Sequence, residues 1–159
     1  MISQRHTGTR KRGSRILCVS QQQILLVLHR DLQTDSAYWL LPGGGRERGE
    51  TLAACGVREV FEETGMHVRV ERRLVVPSAA RDQTFALFLA SPVIHSNAVP
   101  QVNLRNERYL RDAAWHPVTP ENPLGSLEPE WWGFLAPTIT RMLQTQTKER
   151  HVLPTSVEY

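Results

Sequence analysis

From Thr51 onward the hydrophobic period of this chain changes from that of a strand to that of a helix, and this change constrains the fold more than any other feature. With Glu59 at zero on a wheel of about 100° per residue, Ala53, Val57, Val60 and Phe61 fall at about 120°, 160°, 100° and 200°. They make one apolar stripe, the mark of a helix lying on a core. Thr51 suits the N-cap, where its hydroxyl accepts a backbone N–H, and Gly65 suits the left-handed residue just past the end. The spacing predicts a helix over 52–64. On the same wheel Glu62 and Glu63 fall at about 300° and 40°, flanking Glu59 on the side opposite the stripe.

Around this helix the pattern is that of strands. "SRILCVS" (14–20) and "ILLVLHRD" (24–31) are β-rich runs separated by "QQQ", which reads as a hairpin. Residues 31–36 read as a loop and "AYWLLP" (37–42) as a short strand stopped by Pro42. "GGG" (43–45) follows, a stretch that neither helix nor strand favours. Residues 67–76 alternate like an amphipathic strand, 84–90 read as a more buried strand, 91–104 as loop and 113–118 as another strand. Residues 128–146 read as a closing helix, broken or kinked near Pro137. Strands interleaved with two helices give an α/β or α+β sandwich.

The length of 159 residues suits one domain, and no apolar run is long enough to span a bilayer. No secretory leader is visible, and Cys18 and Cys55 stand alone without a disulfide framework, so a cytoplasmic protein with reduced thiols is expected. Of the net +3, residues 1–15 contribute +5 and the remaining 144 contribute −2. The basic character therefore belongs to a tail. The expected division is a basic tail over 1–13, one domain over 14–147 and a C-terminal tail over 148–159. The basic tail is read as a solvated terminus, and RNA 5′ ends stay open as a partner through it.

Three glutamates within five residues need a reason other than helix stability, because like charges at i,i+3 and i,i+4 cost about 0.2–0.5 kcal/mol each. Arg58 can pair with Glu62 one turn on, which leaves Glu59 and Glu63 unpaired. Leu52, Cys55 and Gly56 share the acidic side, so small residues let another segment approach it. The preceding glycines, Gly43, Gly44 and Gly45, let backbone come close to a ligand. Clustered carboxylate oxygens suit a hard divalent cation such as Mg²⁺, which binds oxygen and bridges to phosphate.

"GGRERGETLAACGVREVFEETGM" (44–66) resembles the defining motif of the Nudix hydrolase family, G-x5-E-x7-R-E-U-x-E-E-x-G-U with U aliphatic. Gly44, Glu50, Arg58, Glu59, Val60, Glu62, Glu63, Gly65 and Met66 fill all nine defined positions. The resemblance implies a Nudix-type α/β/α sandwich with a mixed sheet between helices. It implies hydrolysis of a diphosphate linkage in a nucleoside diphosphate joined to another group, with Mg²⁺ or alternatively Mn²⁺ as cofactor. Under it, Glu59 and Glu63 are the main metal ligands, joined by Glu62 and the Gly44 carbonyl, while Glu50 and Arg58 pair to fix the loop on the helix. The proton acceptor falls to Glu62, Glu63 or Glu107, the last placed eight residues before Trp115.

Other residues carry weaker readings. Arg30 at a strand end can hold a phosphate, as can Arg58 and the glycine loop. His29 beside it reads as structural. Trp39 reads as packing beneath the glycines. Trp131 and Trp132 adjoin, so at most one faces the core, and the other is free to stack on a base or to make a homodimer contact. Substrate choice stays open among nucleoside triphosphates and nucleotide-sugar-like diphosphates. The alternative class is a Nudix-like domain that senses nucleotide without cleaving it, but such domains often lose acidic positions and here every one is present.

Overall fold

The computed structural model describes residues 11–77, 79–80, 84–93, 100–102 and 108–150. The first two apolar runs form the expected hairpin, β1 (Gly13–Ser20) and β2 (Gln23–Arg30). Its two-residue turn places Gln21 and Gln22 at φ 47° and 61°, the left-handed pair that matches the twist of a tight hairpin. Next come β3 (Ala37–Leu40), β4 (Gly43–Gly45) and α1 (Leu52–Thr64). Strands β5 (Val68–Leu74), β6 (Phe85–Pro92) and β7 (Leu110–Pro117) follow, and α2 (Pro129–Trp132) leads through a 3-10 turn (Gly133–Leu135) into α3 (Ala136–Arg150).

These strands make one mixed sheet in the order β3-β2-β1-β6-β5, with β4 paired to β1 and β7 to β2. β1 and β6 run parallel and the other pairs antiparallel. Alternation along the central strands feeds two cores. Ile16, Cys18, Leu25, Ala86 and Phe88 point toward α1 and pack with Val60. Leu17, Val19, Ile24, Leu26, Leu87 and Leu89 point the other way, onto Trp132, Leu135, Ile139 and Leu143. Central strands buried on both faces read as nearly unbroken apolar runs, and β1 and β2 do so for this reason. The result is the expected α/β/α sandwich. Among the described residues no helix is long and apolar enough to cross a membrane.

Two readings are corrected. The glycine triplet is a strand. β4 pairs with β1 through Gly13↔Gly45, Ser14↔Gly44 and Arg15↔Gly43, and the pairing is too tight for a side chain at Gly13 or Gly43. A Cβ on Gly43 would lie 2.0 Å from the Ser14 carbonyl oxygen, and its φ of +148° is one that other residues rarely adopt. Glycine is therefore what lets this strand form. The packed face of α1 also differs from the apolar stripe: Phe61 is 46% exposed, whereas Glu63 is buried together with Cys55, Gly56 and Val60. Gly56 sets this rotation, since a Cβ there would meet Ile16 Cδ1 at 2.5 Å. The break expected near Pro137 is present at residues 133–135, so that Pro137 sits in the first turn of α3 where its missing N–H costs nothing.

The α1 boundaries match the expectation, and the caps explain why. Thr51 accepts the Ala54 N–H, and Gly65 at φ 69° returns its N–H to the Phe61 carbonyl. Trp132 is buried and Trp131 half-buried against the same core. Trp39 also packs there, with the His116 ring edge-on at 4.1 Å.

Gly43 and Gly45 test the glycine strand directly. Gly43→Ala should lower unfolding free energy by about 3 kcal/mol or more, from positive φ plus backbone overlap. Gly45→Ala, with open space around its Cβ, should change it by less than about 0.5 kcal/mol in the same urea titration.

Candidate active site

β4 runs beneath the first two turns of α1, close enough that a Cβ on Gly44 would overlap the Glu59 carboxylate at 2.5 Å. Cys55 is fully buried and its thiol donates to the Gly44 carbonyl at 3.5 Å. Burial, first, holds that thiol above its ordinary value, so Cys55 is a packing group and not a nucleophile.

Arg58 lies at the centre of the acidic face. Its Nε and Nη2 donate to the two oxygens of Glu50 at 2.9 and 3.0 Å, a bidentate pair, and Nη2 also donates to the Gly45 carbonyl at 2.9 Å. Nη1 donates to Glu59 Oε1 and to Glu62 Oε2, both at 3.0 Å. The Glu50–Arg58 pairing expected from the sequence is therefore present. The expectation that Glu59 stands unpaired is not met, because Arg58 Nη1 donates to Glu59 as well as to Glu62. With all these bonds the guanidinium is committed to scaffolding, and it is not among the residues lining the adjacent cavity. Arg30 is also elsewhere, its Nε paired with Asp35 across the β2–β3 loop.

Glu63 is held differently. It is 5% exposed, and its Oε2 accepts the Gly43 N–H at 2.9 Å. Its Oε1 lies 3.7 Å from His29 Nε2. A cavity of about 400 Å³ opens here, lined by His29, Gly43, Gly44, Gly45, Glu59, Glu62, Glu63, Tyr109 and Leu110. The three glutamates and three glycines singled out in the sequence thus meet around one space. His29, read from sequence as structural, lines it too; nothing in its own strand gave this away, because the pairing of β2 with β7 and β3 is what turns it there. Glu107 lies outside the described residues, two positions before Tyr109.

The donor set fits a hard cation, though it is not a preformed cage. Among the described residues no three His, Cys, Asp or Glu side chains converge as ready metal ligands. Yet Glu59 Oε2, Glu62 Oε1 and Glu63 Oε1 carry no hydrogen bond among the described residues, and all three belong to side chains lining the cavity. One guanidinium cannot neutralise the four carboxylates of Glu50, Glu59, Glu62 and Glu63. The strain is visible at Glu59, whose carboxyl burial raises above its ordinary value; Glu63 and Glu62 add to the rise and Arg58 opposes it. An ion that keeps several waters and takes only one or two carboxylates suits such a site better than one demanding a closed cage.

A second cavity, of about 380 Å³, is lined by Arg15, Asp31, Tyr38, Leu40, Glu128, Trp131 and Trp132. Two contacts link its lining to that of the first. Arg15 Nη1 donates to the carbonyl of Gly43 at 2.9 Å, and Tyr38 stacks on His29 with centroids 6.5 Å apart. One space is therefore acidic and glycine-lined, and its neighbour is aromatic.

The Glu50–Arg58 pair also has a pH signature. Arg58, first, holds the Glu50 carboxyl below its ordinary value of 4.5. The pair's contribution is present above that value and is lost as pH falls through the lower value of the folded state. Glu50→Gln should cost about 1–2 kcal/mol at pH 7. The gap between variant and wild type should narrow as pH falls below 4.5, as read from thermal melts across the range.

Comparison with known proteins agrees with this geometry. The family model of the NUDIX domain matches residues 9–136. Human 8-oxo-dGDP phosphatase NUDT18 is 30% identical over 101 residues, covering 64% of this chain and 30% of that protein. The crystal structure of a UDP-X diphosphatase superposes with a TM-score of 0.59 at 22% identity, covering 87% of this chain and 64% of that one. A NUDIX-family hydrolase from Clostridium perfringens does so with a TM-score of 0.57 at 15% identity, over 84% of this chain and 99% of that one. The chain spans under a third of the human relative's length, and the two structures speak to the fold alone. The family model, in contrast, covers the sheet, the glycine strand and the whole acidic helix, and by it this chain belongs to the Nudix family.

Proposed function

We propose that this chain hydrolyses a diphosphate linkage in a nucleoside diphosphate joined to a further group, such as a nucleoside triphosphate, using Mg²⁺ or alternatively Mn²⁺. The observation that carries the reading is the excess of carboxylates over guanidinium beside the glycine-lined cavity. Glu59, Glu62, Glu63 and the Gly44 carbonyl would hold the ion. A bound divalent ion supplies Lewis-acid stabilisation of phosphoryl charge and lowers the pKa of water.

The chain's own groups do the rest. Gly43–Gly45 would offer backbone at close range to a phosphate, and at Gly43 and Gly44 no larger residue fits. Arg58 and Glu50 fix the carboxylate geometry and keep it from relaxing as charge builds on the substrate. Glu62 is the most exposed of the three helix acids, at 44% for its side chain. It is therefore the one able to take a proton from attacking water and pass it to solvent. Glu107 is the competing proton acceptor, and a Glu107→Gln enzyme with unchanged turnover would remove it from the mechanism.

The aromatic cavity would take the base. Trp131 and Tyr38 line it and would supply ring faces to a base, and Asp31 and Glu128 can accept hydrogen bonds from base N–H groups. The name of the human relative concerns an oxidised guanine nucleotide, so a substrate panel should include 8-oxo-dGDP and 8-oxo-dGTP beside ordinary nucleoside di- and triphosphates and UDP-linked compounds. Products identified by mass give the bond that is cut.

Two outcomes are expected. Glu59→Gln and Glu63→Gln should each lower Mg²⁺-dependent kcat by about 10³-fold or more while shifting stability by less than about 1 kcal/mol. Either variant turning over at the wild-type rate would contradict the ligand assignment. Trp131→Ala should raise the KM for a nucleotide by about tenfold or more, the loss of one base stack, and leave any hydrolysis of base-free diphosphates unchanged.

A further inference from the structure

Among the described residues, His29 is the one side chain that walls the acidic cavity while its ring rests on a residue of the aromatic one. His29 sits at an irregularity of β2, where the register against β7 shifts between Leu28 and His29, and it is paired to Tyr38 on one side and Leu110 on the other. The ring lies within 24° of parallel to Tyr38. Its orientation is therefore set by both flanking strands.

What this braced ring presents inward has no structural use of its own. Nε2 is buried and makes no hydrogen bond among the described residues. A buried polar nitrogen without a partner is costly, and such atoms usually mark a role. The group it faces is Glu63 Oε1, at 3.7 Å, just beyond hydrogen-bond reach. The other oxygen of that carboxylate is already fixed by the Gly43 N–H at 2.9 Å.

Resting on the proposed function, we infer that His29 is a positioning residue for Glu63. In the tautomer carrying hydrogen on Nε2, it donates to Oε1 once the carboxylate turns slightly inward, while Gly43 holds Oε2. Two donors on opposite oxygens then fix the plane of the carboxylate and leave its remaining lone pairs directed into the cavity. A partner that orients a ligand carboxylate typically carries about 10–100-fold in metal affinity or activity.

The test uses the full chain and three measurements: Mn²⁺ binding by electron paramagnetic resonance without nucleotide, steady-state kinetics, and melting temperature. His29→Phe keeps a ring for Tyr38 and removes the donor. It should weaken Mn²⁺ binding and lower kcat by about tenfold or more, with nucleotide KM changed by less than about threefold. His29→Gln, which returns an N–H donor, should recover part of both losses. Wild-type Mn²⁺ affinity and kcat in His29→Phe would overturn the inference, and so would equal losses in both variants accompanied by equal drops in melting temperature. If wild type hydrolyses nothing in the panel, the proposed function fails, and the Mn²⁺ titration still decides the role of His29.

Discussion

The site depends on how closely α1 approaches the backbone of β1 and β4. Three glycines set that distance: Gly43 against the Ser14 carbonyl, Gly44 against the Glu59 carboxylate, and Gly56 against Ile16. Ser14 Oγ adds a hydrogen bond to the Leu52 carbonyl, tying the first turn of the helix to the same strand. With a side chain at any of these positions the helix would stand further off, and its glutamates would be solvated charges on a surface. Close approach instead places them against backbone, where burial raises the Glu59 pKa and lets a main-chain N–H hold Glu63.

From that geometry follows an electrostatic problem with a partial internal answer. Arg58 ties together Glu50, Glu59 and Glu62, and the exchange lifts the guanidinium above its ordinary pKa, chiefly through Glu50. Burying charges is costly unless they are paired, and a group of four acids with one base remains underpaired. The arrangement is stable enough to fold and still favours a cation. Polar networks that are only partly satisfied are common where a protein must act, and a chain selected for stability alone would have no use for one here.

Much of this could be read from residues alone, wherever local rules and tertiary structure agree. The helix over 52–64 appeared with its correct ends because Thr51 and Gly65 bond to its terminal groups regardless of what packs on it. The β1–β2 hairpin followed from runs that are apolar on both faces, while the α/β/α layering was implied by the resemblance to the Nudix family. The failures have a common cause, which is that tertiary contact overruled a local preference. Glycines disfavour strands, yet at Gly43 only glycine fits the β1–β4 pairing. A helical wheel puts the glutamates opposite the core, yet Gly56 and Cys55 draw that side inward. The carboxylates and glycines of the site were found by spacing. His29 was not, because its place is set by strand register across three segments and no pattern in "LVLHRD" records it.

The proposed chemistry requires that the open oxygens of Glu59, Glu62 and Glu63 take a divalent ion at the mouth of the glycine-lined cavity. Anomalous diffraction from crystals soaked in Mn²⁺ would locate that ion. A peak is expected inside the cavity at about 2.2 Å from oxygens of at least two of the three carboxylates, with Glu50 and Arg58 still paired behind them. A soaked crystal with Mn²⁺ bound elsewhere on the molecule, and these carboxylates unmoved in their bonds to Arg58 and Gly43, would contradict it.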